Sequence, residues 1–159
     1  MKKLTPIQVL NQMDQQALYQ KYPTTPKEYL VIKPNTAGNS NSLTKSIIKF
    51  LKLSGHQAER ISVEGRVIDQ RKTYTDVLGH RRTIGSVKRV KSSATKGSAD
   101  ISATINGRSV KIEVKWGRDR QSDNQKAYQA EVERAGGVYM IARTFDQFYE
   151  WYNEFVSSI

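Results

Sequence analysis

The dipeptide Asn106-Gly107 constrains this chain more than any other feature of its sequence. A two-residue type I′ turn needs positive φ at both central positions, and Asn and Gly tolerate that conformation best. We therefore predict a β-hairpin in the run ADISATINGRSVKIEVKW, which spans residues 99–116. With Asn106 and Gly107 as the loop, the predicted pairs are Ile105 with Arg108, Ala103 with Val110, Ile101 with Ile112, and Asp100 with Glu113.

The predicted register sorts the hairpin's side chains onto two faces, because successive strand residues alternate. The apolar residues share the face that we expect to turn toward the core: Ile101, Ala103, Ile105, Val110, Ile112 and Val114. The polar residues share the other face: Asp100, Ser102, Thr104, Ser109, Lys111, Glu113 and Lys115. Directly opposed side chains stand only about 4.5 to 5.5 Å apart, so the facing carboxylates of Asp100 and Glu113 should repel each other.

A divalent metal ion would remove that repulsion. Two carboxylates with a nearby backbone carbonyl and water form an oxygen-ligand site that suits Mg²⁺ or Mn²⁺. Lys115 lies on the same face, two residues beyond Glu113, where a lysine can help to position or deprotonate a metal-bound water. The alternative is that Asp100 and Glu113 form ordinary salt bridges with Lys111 and Lys115 on a solvated face. The residues alone favour this alternative slightly.

Positive charge is concentrated in one segment of the chain. The whole sequence has 26 basic and 15 acidic residues, a net charge of +11. Residues 66–96 alone contribute +7, from Arg66, Arg71, Lys72, Arg81, Arg82, Lys88, Arg89, Lys91 and Lys96 against Asp69 and Asp76. Such a segment favours a polyanion, and we prefer nucleic acid because no amphipathic membrane-binding helix accompanies the charge. The alternative is a solvated basic loop that has no specific partner or meets an anionic surface.

Length and composition limit the remaining options. A chain of 159 residues suits one domain, which we place at residues 40–159, after an N-terminal helix and proline-rich connector at residues 1–39. The absence of cysteine excludes disulfides, thiol catalysis and zinc–thiolate sites. No run approaches the ~18 apolar residues of a membrane span, and MKKLTPIQVL lacks the apolar segment of a signal peptide. We therefore expect a soluble, cytoplasmic protein without a membrane partner.

The order of predicted elements indicates an α/β fold. Helices are predicted from Thr5-Pro6 to about Tyr19, over SLTKSIIKFLKLSG with Asn41 or Ser42 as the cap and Gly55 at the end, and from the Ser122–Gln125 capping box through Arg134 to Gly136. Strands are predicted at Gln57–Val63, in the hairpin and at GVYMIA. A second capping box, Thr144 with Gln147, precedes a last helix whose core residues are Phe145, Phe148, Trp151, Tyr152 and Phe155. The basic segment has little apolar periodicity, so we interpret it as mainly loop, part of which can extend the sheet as a hairpin. The expected result is a central mixed sheet flanked by helices.

Four short motifs in this order resemble the PD-(D/E)xK nuclease superfamily, and most of all its VRR-NUC branch. They are GSAD at 97–100, IEVK at 112–115, QSDNQ at 121–125 and AGGVYMIA at 135–142. The VRR-NUC branch includes structure-specific and phage-type nucleases related to Holliday-junction resolvases. The resemblance covers about two thirds of the chain and implies a restriction-endonuclease-like core with three antiparallel strands between helices. It further implies a site for Mg²⁺ or Mn²⁺ with Asp100, Glu113 and the Val114 carbonyl as ligands, Lys115 as the catalytic lysine and Gln125 as the family's glutamine.

The sequence departs from the family at one position. The family usually carries a glutamate near the start of the helix that precedes the sheet, but no acidic residue lies between Tyr29 and Ala58. Asn41 offers a neutral amide oxygen there, or is simply the helix N-cap. Glu59 and Glu64 are other candidates for the missing role. With fewer carboxylates the metal would bind more weakly. The hypothesis of a weakly active or inactive nuclease is therefore retained.

These observations together predict a metal-dependent deoxyribonuclease. Phosphate contacts position DNA without reading its sequence, so we expect selectivity for a DNA structure such as a branch, flap or end. The expected DNA-binding residues are Arg66, Arg81, Arg82, Lys88, Arg89, Lys91 and Lys96 in the basic segment, with Arg118 and Arg120 beside the site. The resemblance also implies a possible homodimer and suits a phage or mobile element. The competing hypothesis is a DNA-binding protein that keeps the fold and has lost catalysis.

Overall fold

The computed structural model describes residues 4–62, 65–90 and 95–158, and for Arg66 it describes the backbone alone. The chain forms two compact units. The first, which we call the core unit, comprises Met1–Ile61 and Gly97–Ile159, and the second, which we call the basic arm, comprises Ser62–Lys96. This division differs from the predicted boundary at residue 40. The N-terminal helix belongs to the core unit because it buries Leu10 in the common core.

The core unit has an α/β architecture with a mixed sheet. Its elements are α1 (Pro6–Lys21), a 3₁₀ turn (Lys27–Tyr29), α2 (Ser40–Leu53), β1 (Gln57–Arg60), β6 (Ile101–Ile105), β7 (Arg108–Val114), α3 (Asp123–Arg134), β8 (Val138–Ala142) and α4 (Phe145–Ser157). The strands between β1 and β6 belong to the basic arm. The sheet order is β1-β6-β7-β8. β6 pairs antiparallel with β1 and β7, whereas β7 and β8 are parallel and are joined through α3.

The hairpin of β6 and β7 has the predicted register. Ile105 pairs with Arg108, and the ladder continues to the pair of Ile101 with Ile112. Asn106 and Gly107 form the loop with φ angles of 47° and 79°, as a type I′ turn requires. The six apolar residues predicted for the inner face are all buried.

The core lies between that inner face and helices α1, α2 and α4. Its helical members include Leu10, Leu43, Ile47, Phe50, Leu51, Phe145 and Phe148. The predicted aromatic residues of α4 face this core, and Phe50 of α2 meets Phe145, Phe148 and Tyr152 in edge-to-face contacts. Within the described residues, no helix combines the length and the apolarity that crossing a membrane requires.

Two helix caps differ from the prediction. The N-cap of α2 is Asn39, whose Oδ1 accepts the Ser42 N–H at 2.8 Å, so Asn41 and Ser42 lie inside the first turn. Thr144 does cap α4 by accepting the Gln147 N–H at 3.1 Å. In a capping box the Gln147 side chain would also accept the backbone N–H of Thr144. Gln147 Oε1 instead accepts the N–H of Arg143.

The prediction of a mainly irregular basic segment is wrong. The basic arm contains β2 (Arg66–Asp69), β3 (Lys72–Thr75), β4 (Arg81–Ile84) and β5 (Val87–Val90). β2 pairs with β5 and β3 with β4, both antiparallel, and neither pair joins the sheet of the core unit. The segment lacks apolar periodicity because these strands bury no side chain among those described, so its strand character rests on β-branched and aromatic residues alone. The predicted strand end at Val63 lies outside the described residues, and β1 ends at Arg60.

Candidate active site

The site lies at the end of the β6–β7 hairpin that is farthest from its turn. Asp100 precedes β6 by one residue, and its Oδ2 accepts the backbone N–H of Val114 at 2.9 Å. The carbonyl of Asp100 accepts the N–H of Ile61 at 2.8 Å, and the N–H of Lys115 donates to the carbonyl of Ala142 at 2.9 Å. Backbone hydrogen bonds from the neighbouring strands therefore fix both ends of the site.

Two charged side chains of this site are buried, which is unusual for their residue types. Glu113 is 2% exposed and Lys115 is 5% exposed. The Lys115 Nζ lies 3.0 Å from Glu113 Oε1 and 3.4 Å from Asp119 Oδ2. A buried ion pair has a large desolvation cost that hydrogen bonds must offset, so the surrounding contacts decide whether it is tolerated.

Gln125 supplies those contacts from the first turn of α3. Its Nε2 donates to Glu113 Oε1 at 2.5 Å, and its Oε1 accepts from Lys115 Nζ at 3.0 Å. The same Oε1 accepts the N–H of Ser122 at 2.9 Å and thereby completes the predicted capping box. One side chain thus caps the helix and joins the site, so the two interpretations of Gln125 are compatible.

The carboxyl group of Glu113 lies in an unusual electrostatic environment. Burial, followed by the negative charge of Asp100, raises the pKa of its carboxyl, while Lys115 acts in the opposite direction. Its Oε2 is buried and has no hydrogen-bond partner among the described residues. Buried polar atoms are nearly always paired, so this unpaired oxygen stands out. Asp100 is close enough to act on the charge of Glu113, and carboxylate oxygens are the ligands that Mg²⁺ and Mn²⁺ prefer. The residues present therefore fit a divalent ion.

The ligand set is small. Among the residues that the structure describes, no three histidine, aspartate or glutamate side chains form a group able to hold a metal. An ion at this site would depend on Asp100, Glu113, a backbone oxygen such as the Val114 carbonyl, and water. Mg²⁺ usually keeps several waters, so two carboxylates are compatible with it.

The salt-bridge alternative describes only part of this face. Glu113 does pair with Lys115, but the pair is buried and not solvated. Lys111 donates to Ser102 Oγ at 2.6 Å and not to an acid. Asp100 forms no ion pair with any described residue.

Asn41, the candidate replacement for the family's glutamate, is engaged by another residue. Its Oδ1 accepts from Arg60 Nη1 at 2.7 Å. Glu59 is exposed on β1, where it pairs with Ser102 and therefore shares the polar face. Glu64 lies outside the described residues. The third acid that the described part of the chain brings near the site is Asp119, which is exposed and contacts Lys115.

The predicted DNA-binding residues belong to two regions. Arg81, Arg82, Lys88, Arg89 and Lys96 are exposed in the basic arm. Arg118 and Arg120 are exposed in the loop of the core unit between β7 and α3. Lys91 lies outside the described residues, as does the side chain of Arg66. Of the exposed arm residues, Arg82 is engaged by Asp76 at 2.6 Å.

Gly97, which opens the GSAD motif, has a structural role that the motif alone does not reveal. Gly97 has φ of +84°, and a Cβ there would lie 2.4 Å from the carbonyl oxygen of Asn124. Glycine therefore lets this segment approach the first turn of α3, which carries Gln125. The available signal was the glycine itself, because close backbone approach is one reason for a glycine at a motif.

Tyr139 of β8 is a further residue of the site that the sequence did not predict. It pairs with Lys111, so its side chain shares the polar face, and it meets Tyr128 of α3 with ring centroids 6.4 Å apart. Burial, followed by the charge of Glu113, raises the pKa of its phenol. The run GVYMIA is almost continuously apolar, so its sequence does not reveal the alternation that places Tyr139 on the polar face.

Comparisons of this chain with family models, curated proteins and solved structures find no match. The class of the site therefore follows from its own geometry: a buried carboxylate–lysine centre with a second carboxylate at the end of a β-hairpin.

Proposed function

We propose that this protein is a metal-dependent nuclease that hydrolyses phosphodiester bonds of DNA, with a restriction-endonuclease-like core of the PD-(D/E)xK type. The observation that carries the proposal is the buried Glu113 Oε2, which has no hydrogen-bond partner among the described residues, in a carboxyl group that contacts Lys115 and is affected by the charge of Asp100. The order of helix, three antiparallel strands, helix and parallel strand supports the same family. A purely structural ion pair would have no need of an unpaired acceptor.

Asp100 and Glu113 would hold Mg²⁺ or Mn²⁺ together with the Val114 carbonyl. When bound, the ion supplies an acidified water and stabilises charge on a phosphate oxygen. Glu113 has a separate oxygen for each task, since Oε1 keeps Lys115 and Gln125 in place while Oε2 is available. The protein can therefore bind the ion without breaking the network that orients the lysine.

Lys115 would position the attacking water and offset the charge of the phosphate. Its ammonium is held by oxygens of Glu113, Gln125 and Asp119, so its direction is fixed before substrate arrives. Gln125 acts as a positioning residue through these contacts. Such preorganisation removes the cost of reorienting the group during the reaction.

DNA is the proposed substrate because of the charge on the basic arm. Phosphate contacts from lysine and arginine add salt-dependent affinity without sequence readout. We therefore propose selectivity for a DNA structure. The second candidate, a DNA-binding protein without catalysis, is favoured by the engagement of Asn41 with Arg60, which leaves two carboxylates for the metal.

The test is nicking of supercoiled plasmid and of branched DNA with Mg²⁺ or Mn²⁺. We expect cleavage by the wild type and a loss of at least about 100-fold in Asp100→Asn and Lys115→Met. Asp100→Asn keeps an acceptor for the Val114 N–H, so its fold should survive. Glu154→Gln, which removes an exposed acid of α4, is the control and should cleave normally. Salt-sensitive DNA binding without cleavage by the wild type would establish the second candidate instead.

A further inference from the structure

The tip of the basic arm is a three-residue hairpin loop, Val77-Leu78-Gly79. The N–H of Asp76 donates to the carbonyl of His80 at 2.8 Å, and the N–H of Gly79 donates to the carbonyl of Asp76 at 2.9 Å. Gly79 has φ of +83°. These features define a type I turn followed by a left-handed residue, which is a common three-residue hairpin connection.

The carboxylate of Asp76 holds this turn in one shape. Its Oδ1 accepts the N–H groups of Leu78 at 3.0 Å and His80 at 2.9 Å, and its Oδ2 accepts from Arg82 Nε at 2.6 Å. The hydrogen bond from the Arg82 side chain is the main cause that lowers the pKa of Asp76. The turn is therefore preorganised by its own residues and needs no partner to form.

The two central residues of the turn are apolar and project into solvent. Val77 is fully exposed and Leu78 is 75% exposed. Turn positions of this kind normally hold polar residues, proline or glycine. A rigid turn that presents two aliphatic side chains has the properties of a contact surface and not of a solvated loop.

The arm behind the tip is positively charged. Its two described acids are each paired with an arginine, Asp69 with Arg71 at 2.7 Å and Asp76 with Arg82 at 2.6 Å. The remaining described cations have no acidic partner among the described residues, and they are Lys72, Arg81, Lys88, Arg89 and Lys96. The arm therefore combines an apolar tip with cationic flanks.

We propose that the tip is a wedge that enters duplex DNA and separates stacked bases, while the cationic flanks bind the adjacent phosphates. Aliphatic side chains inserted between base steps are a recurrent way to kink a duplex. The side chains of Val77 and Leu78 cannot donate or accept hydrogen bonds to bases, so the wedge selects steps that open easily, as at a junction, nick or mismatch. The charge identifies DNA as the occupant, since a second copy of the arm would be repelled. The proposal rests on the DNA-binding part of the proposed function and not on cleavage.

The test uses the full chain and a duplex with a single 2-aminopurine beside a nick, whose fluorescence rises when its base is unstacked. In EDTA the wild type should raise the signal about threefold or more at saturation. Val77→Ser combined with Leu78→Asn should abolish the rise and weaken binding to the nicked duplex about tenfold, with the same salt dependence. Val31→Ser, at an equally exposed site in the connector, is the matched control and should behave as the wild type.

The outcomes separate this inference from the proposed function. A rise in fluorescence without cleavage in Mn²⁺ keeps the wedge and rejects the nuclease. Cleavage without a rise, or a rise that survives in the tip variant, rejects the wedge. If the tip variant instead changes the sedimentation of the free protein, the tip is a contact between copies, and the absence of both readouts rejects both proposals.

Discussion

The core unit and the basic arm break the ordinary rule of burial in opposite ways. The core unit buries Glu113 and Lys115 beside its apolar residues, whereas the arm exposes apolar residues such as Val77 and Leu78. The buried charges reduce stability because they are desolvated, whereas the exposed aliphatic side chains forgo the stabilisation that burial would give. In both regions a bound ligand would make the arrangement favourable. A cation would do so at Glu113, and stacked bases would do so at the arm tip.

The largest expected effect concerns the lysine of the core unit. Lys115→Met keeps the length of the side chain and removes the charge that orients the water. We expect cleavage to fall about 10³-fold, while DNA affinity changes little because the cations of the arm are intact. A cleavage rate in Lys115→Met that stays within a factor of three of the wild type would separate this lysine from the chemistry.

Gly97→Ala should cause the next largest effect, on stability. The new Cβ would meet the Asn124 carbonyl at 2.4 Å in a left-handed backbone conformation, so we expect a loss of about 3 kcal/mol in the free energy of unfolding. Gly136→Ala, which has φ of +80° in open space, should lose only about 1 kcal/mol. Gly38→Ala has neither problem and should be nearly neutral. Equal losses at Gly97 and Gly136 in urea unfolding would show that the close approach to α3 has no energetic weight.

Glu113→Gln should stabilise the protein at neutral pH, because it replaces a carboxylate whose charged form is disfavoured by burial. The folded state raises the pKa of Glu113 above its ordinary value of 4.5. It therefore binds the proton more tightly than the unfolded state, and wild-type stability falls as pH rises through this window. The advantage of Glu113→Gln should accordingly shrink as pH falls toward 4.5, the ordinary pKa, because the carboxyl of the wild type becomes protonated over that range. Thermal unfolding from pH 4 to 8 measures this difference, and an advantage that grows toward acid pH would contradict it.

The smallest effect on the fold is expected in the arm. Lys88→Gln with Arg89→Gln should leave the melting temperature unchanged, because both side chains are exposed and unpaired with any described acid. The slope of log affinity against log salt should become shallower by about two units, one for each lost phosphate contact. Fluorescence anisotropy at several salt concentrations measures the slope. An unchanged slope would remove these two residues from the DNA interface.

The sequence predicted the core unit far better than the arm, for a physical reason. The β6–β7 hairpin carries its register in two residues, Asn106 and Gly107, and its inner face in strict alternation, so local signals and burial agree. The arm has no buried side chains among those described, so the periodic signal that burial imposes was missing. Its Val, Ile and Thr content was the only remaining sign of strands.

The sequence predicted which residues form the candidate site, but not their burial or their contacts. The hairpin placed Asp100 and Glu113 at one end, but sequence spacing does not reveal burial. The double use of Gln125 depends on how closely α3 approaches the strand, which Gly97 permits. Asn41 is not free to bind a metal because it contacts Arg60. That contact depends on tertiary packing between α2 and β1, which the sequence does not show.

The most direct test of the central claim is a crystal structure of the protein soaked in Mn²⁺, with the ion located by its anomalous signal. We predict a peak about 2.2 Å from Glu113 Oε2 and from a carboxylate oxygen of Asp100, with Lys115 still bound to Glu113 Oε1. A site without Mn²⁺ at millimolar concentration, with Glu113 Oε2 hydrogen-bonded to a protein group, would contradict the claim.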